Sequence, residues 1–139
     1  MANLGYGHRY GNRTPVPVRV DSSTSAISIG DMLTLATAGY FKQAAAGDEP
    51  ICVAMQACAA PAADGNTTIL ADFSLDSVYA YPPASGTATV ALIGKTFDVG
   101  GAQSADIATG TDDSLICVDV DTVNNLVFVK INPTLASID

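Results

Sequence analysis

The sequence predicts an all-β domain: a small β-barrel or β-sandwich of short antiparallel strands, with an extended N-terminal arm. Three observations lead there. β-branched and aromatic runs recur along the chain, separated by clusters of Gly, Pro, Asn and Asp. Helix signals are almost absent: only Ala44-Ala45-Ala46 invites a turn of helix, and Gly47 with Pro50 closes it at once. The first twenty residues differ in kind from the rest, being glycine-rich, aromatic and basic.

Taken in order, strands are expected near Val16–Val20, Met32–Thr37, Tyr40–Gln43, Ile51–Ala57, Thr67–Phe73, Ser77–Tyr81, Thr87–Ile93, Leu115–Asp121 and Leu126–Ile131. The last two make the clearest hairpin, turning at Thr122-Val123-Asn124-Asn125. Strict alternation would put Ile116, Val118 and Val120 on one face and Asp119 and Asp121 on the other. Many short strands at this spacing suit a barrel or sandwich. At 139 residues the chain is one domain, read as an arm over 1–20 and a β-domain over 21–139.

Charge divides at the same point. Residues 1–20 hold Arg9, Arg13 and Arg19 and no acid, a net +3, while the remainder holds three lysines and all 14 acids, a net −11. The stretch Gly5-Tyr6-Gly7-His8-Arg9-Tyr10-Gly11-Asn12-Arg13 has neither helix nor strand periodicity. Tyrosine and arginine make good interface anchors, so Tyr6, His8, Arg9, Tyr10, Arg13 and Arg19 are the candidate partner contacts. An acidic body repels phosphates and three arginines make a small footprint, which argues against nucleic acid as a partner.

Charged residues are only 14% of the chain, against about 25% in an average soluble domain. A surface so poor in charge is expected to lie partly against other subunits. No run approaches the roughly 18 apolar residues of a membrane-spanning helix, so no membrane association is expected. Met1–Val20 lacks the apolar middle of an export signal. Cys52, Cys58 and Cys117 then read as reduced, small core residues.

Candidate chemistry is sparse. The only histidine, His8, lies in the arm, no nucleophile has a visible base, and Gly94-Lys95-Thr96 lacks the upstream glycine of a phosphate loop. Asp112-Asp113, Asp119 and Asp121 read as solvated turn and face residues, and Asp64-Gly65-Asn66 as a turn. No enzyme activity, cofactor or metal is therefore expected.

One resemblance gives this a direction. Ala26-Ile27-Ser28-Ile29-Gly30-Asp31-Met32-Leu33-Thr34-Leu35, then Gly39-Tyr40-Phe41-Lys42-Gln43-Ala44 and Ile51-Cys52-Val53-Ala54-Met55, resembles the opening of small capsid decoration (cement) proteins of tailed bacteriophages. Thr96-Phe97-Asp98-Val99, with the two final strands, resembles their closing β-hairpin. The resemblance implies a structural protein, commonly a homotrimer, on the outer surface of a virion assembled in the host cytoplasm. Its partner would be the major capsid protein, whose neighbouring capsomers it would bridge, and the basic arm would act as an adhesive element. The alternative is a carbohydrate- or surface-binding β-module of a viral fibre or secreted assembly, with Tyr79, Tyr81 and Tyr40 as its candidate aromatics.

Overall fold

The computed structural model describes residues 7–37, 39–108, 110 and 113–132. Its regular structure is strand, apart from one 3-10 turn at Val90–Leu92. The strands are β1 (Gly7–Tyr10), β2 (Pro15–Val20), β3 (Met32–Thr37), β4 (Tyr40–Gln43), β5 (Cys52–Ala54), β6 (Thr68–Asp72), β7 (Val78–Tyr81), β8 (Thr96–Gly101), β9 (Ser104–Asp106), β10 (Leu115–Asp121) and β11 (Leu126–Ile131). They form two units. A closed five-stranded barrel runs β2-β4-β3-β5-β6, and a six-stranded sheet runs β1-β7-β11-β10-β8-β9.

Alternation along the barrel strands explains how the two units join. Val18, Val20, Leu33, Cys52, Ala54, Ile69 and Ala71 point inward and fill the barrel. The residues between them point outward, and Met32 and Val53 pack against the sheet's Tyr79, Tyr81, Phe97, Val99, Leu115, Cys117, Val127 and Val129. The buried barrel residues are therefore aliphatic or cysteine, with the half-buried Phe41 and Phe73, edge-to-face with each other, packed against them, while Tyr79, Tyr81 and Phe97 sit between barrel and sheet. At the far edge Ala105 exchanges hydrogen bonds with the chain just beyond β7, accepting from the Ala84 N–H (2.7 Å) and donating to the Pro82 carbonyl (3.0 Å). That contact covers the outer edge of β9.

The all-β class stands, and β3, β4, β10 and β11 have the expected limits. Four expectations change. First, 7–20 is no extended arm: β1 pairs antiparallel with β7, and β2 lies in the barrel wall with Val18 and Val20 buried. The charge division thus does not mark a structural boundary. Second, Thr87–Ile93 is not a strand. Both flanks of β10 are taken by β11 and β8, so the segment cannot pair with that strand, and it folds as the 3-10 turn, with Val90 exposed. Third, the strand expected over Ile51–Ala57 spans only Cys52–Ala54. Fourth, a β-bulge between Cys117 and Asp119 resets the hairpin's alternation. Leu115 and Cys117 are buried before it, and Val120 packs on the core after it, so Ile116, Val118 and Val120 share no common face.

Candidate functional site: the N-terminal strand and the buried carboxylate beneath it

Of the candidate contacts, Tyr6 lies outside the described residues, as does Asp112 of the acidic pair. His8, Arg9 and Tyr10 occupy β1, whose register sets Gly7 opposite Ala80, His8 opposite Tyr79 and Tyr10 opposite Val78. Arg13 lies in the link to β2 and is exposed. Arg19 is exposed on the barrel, paired with Tyr40 and Thr68, so it does not join the others.

Much of the basic character is met within the chain. The Arg9 guanidinium lies over the Phe128 ring, 5.9 Å from its centroid. Across the same surface is Asp121, which closes the β10–β11 turn by accepting from the Asn124 side chain (2.8 Å) and from the N–H groups of Val123 and Asn124. The Asn124 bonds hold the Asp121 carboxyl below its ordinary value, and Arg9 adds to that pull. Arg9 thus has an acidic neighbour on its own chain. His8 packs its ring edge-on against Tyr79 at 5.5 Å, with its Nε2 2.9 Å from the Gly11 carbonyl. Gly11 has φ +94°, and a β-carbon there would lie 2.3 Å from the Asp76 carbonyl oxygen, so only glycine lets the chain come this close.

Under this segment sits Asp72, which is 1% exposed. It ends β6 on the outward face of the barrel, where the sheet covers it. One carboxylate oxygen accepts from the N–H groups of Thr14 (2.8 Å) and Ser74 (2.9 Å). The other accepts from the Ser77 hydroxyl (2.6 Å) and the Tyr79 hydroxyl. Burial works to raise the Asp72 pKa, but the bonds from Ser77, Tyr79, Thr14 and Ser74 together outweigh it, and the net shift is downward. For Tyr79 every large influence points upward: burial first, then its bond to Asp72 and the charge of that group. Ser77 has one hydroxyl hydrogen, which the short bond to Asp72 takes. Its 3.3 Å approach to the Asn12 carbonyl is a secondary contact.

A second carboxylate performs a similar task on the other side of the junction. Asp31, also buried, accepts from the Ser28 N–H (2.8 Å), from the Gln43 amide of the barrel (2.8 Å) and from the Gln103 amide of the β8–β9 turn (2.7 Å). Next to it the Tyr81 hydroxyl donates to the Gly30 carbonyl (2.7 Å). Tyr79 and Tyr81 stack at 6.2 Å, are 4% and 1% exposed, and so offer no face to a sugar ring.

Both carboxylates are enclosed and bonded on each oxygen, which suits them to holding segments together. Among the described residues no group of three or more His, Cys, Asp or Glu side chains is arranged to hold a metal ion. Asp72 and Asp31 are not legible as a pair in the sequence. The one available signal for Asp72 is an acid placed inside a β-rich run, Thr67–Phe73. The chain matches no protein-family model, no curated protein and no solved structure.

Proposed function

We propose that this protein is a structural capsid decoration protein, binding the outer surface of a phage head and bridging neighbouring capsomers. The observation that carries the reading is a set of strongly exposed aliphatic side chains on a body short of charge. Val90 (68% exposed), Ile93 and Val123 (90% exposed) stand out from two loops that are tied together by the Ala88 N–H bond to the Asn125 side chain (2.7 Å). Exposed aliphatic groups on these two loops, on a chain with 14% charged residues, suit a surface that is covered in use. The likeness of Ala26–Met55 to the opening of decoration proteins points the same way.

On this reading the partners are the major capsid protein and sister copies in a homotrimer, where three modest footprints act together. The exposed Tyr10, Arg13 and Arg19 remain candidate contacts, Arg19 on the barrel apart from the other two, whereas His8 and Arg9 spend much of their surface inside the chain. Co-sedimentation with expanded, undecorated heads tests the proposal. The protein should pellet with the heads and raise their melting temperature, and Val90→Asp with Val123→Asp should abolish both effects. A wild-type protein that stays in the supernatant at micromolar concentration would reject the reading.

A further inference from the structure

Residues 7–14 are attached to the body in a way no other described segment is. Neither apolar core includes any residue before Val18. Within 7–14 only Gly7 is buried, His8 and Arg9 are half-buried, and the rest are exposed. What holds the segment is a short, bulged pairing with β7, the His8 edge on Tyr79, the Arg9 guanidinium on Phe128, the Ser77 hydroxyl near the Asn12 carbonyl, the Phe73 N–H bond to the Thr14 carbonyl (3.0 Å), and the Thr14 N–H bond to Asp72. These contacts are polar or aromatic-edge contacts, individually modest, and little apolar area is withdrawn from water.

Two of those anchors meet at one group. Thr14 bonds Asp72 directly, and His8 packs on Tyr79, whose hydroxyl is fixed by the same carboxylate. We infer that residues 7–14 form a strap that opens from the body as a unit, with the Asp72 carboxylate as its latch and acid as the condition that releases it. The ionisable groups around the latch are Tyr79 on β7, Cys52 on β5 and, from the strap itself, Arg13 and His8, these last two acting through Tyr79. Arg13 favours a charged neighbourhood and Cys52 stays neutral because burial, and then Asp72, push its thiol upward. Once protonated, Asp72 loses the charge that its donors favour and gains a hydrogen that must itself find an acceptor.

The sign of the linkage follows. The Asp72 pKa in the docked state lies below the ordinary value of 3.8, so the latch holds above about pH 4 and weakens as pH falls through the docked-state value. By reciprocity, a strap that acid releases is one whose removal raises the Asp72 pKa, the loss of the Thr14 bond outweighing the relief of burial.

Trypsin reads opening directly, since Arg9 and Arg13 lie in the strap and Arg19 in the barrel wall. In Asp72→Asn at neutral pH, cleavage after Arg9 and Arg13 should be faster by about tenfold or more, the loss of one hydrogen bond to a charged group. Cleavage after Arg19 should stay slow. Unchanged cleavage after Arg9 and Arg13, or equal acceleration at all three sites, would overturn the latch. Should Asp72→Asn not fold, Gly11→Ala lifts the strap through its collision with the Asp76 backbone and leaves Asp72 in place. Its Asp72 carboxyl, followed by carbon-13 resonance, should titrate at higher pH than in wild type; an identical titration would reject the inference.

Discussion

Strand β7 has a neighbour on each side, and the two are held by opposite means. On one side β11 pairs Val127 with Tyr81 and Val129 with Tyr79, all buried, and continues into the β10 hairpin and its core of Leu115, Cys117 and Ile131. On the other side β1 pairs through Gly7, His8 and Tyr10 and buries almost nothing apolar. Burial of a single large aliphatic or aromatic side chain outweighs one exposed polar contact by a factor of a few. The hairpin should therefore open only with the whole molecule, and the strap should open locally. A ladder of backbone bonds looks the same in both places; the side chains decide its strength.

The comparison can be broken from the strong side first. Phe97→Ala empties the core beneath the hairpin and should cost about 3–5 kcal/mol, read by denaturant unfolding, with loss of the fold as a whole. Next comes the junction. Asp72→Ala leaves the Ser77, Tyr79, Thr14 and Ser74 donors without their acceptor and should cost about 2–3 kcal/mol. Its partner Tyr79 gives an alkaline counterpart. The folded-state pKa of Tyr79 is raised, so its contribution is complete below the unfolded value near 10 and is lost as pH climbs beyond it. Absorbance at the tyrosinate band should accordingly show Tyr79 ionising only together with unfolding.

On the weak side the effects shrink. Gly11→Ala, strained by its left-handed backbone and by the collision with the Asp76 carbonyl, should cost at least about 1–2 kcal/mol, confined to the strap and visible as faster amide exchange at 7–14 with little change in the global midpoint. Arg9→Ala should change stability by less than about 1 kcal/mol and should return the Asp121 carboxyl toward its ordinary titration, measurable by carboxyl resonance.

The same contrast explains what could be read from the sequence. β10 and β11 announce themselves because apolar residues alternate on both sides of a polar turn, and β3 and β4 because a glycine-containing turn joins two β-rich runs. β1 carries no such mark: Gly7-His8-Arg9-Tyr10 has no apolar alternation, and its partner lies about seventy residues away. β9, only three residues long, falls below any periodic signal. Thr87–Ile93 has strand-like composition, but the neighbouring β10 already pairs on both sides, so composition misleads there. The bulge at Cys117–Asp119 is equally silent, although it decides which side of the hairpin each later residue faces. The basic segment was visible as an anomaly of charge. That its first neighbours would be Phe128, Tyr79, Asp121 and Asp72 of its own chain depends on tertiary contacts alone.

Residue-resolved amide hydrogen exchange on the intact protein at neutral pH tests the central contrast most directly. The protected amides of β11 and of Leu115–Cys117 should exchange at least about a hundredfold more slowly than those of β1, after correction for intrinsic rates. Equal protection on the two flanks of β7 would contradict it, because the N-terminal strand would then belong to the same cooperative unit as the core.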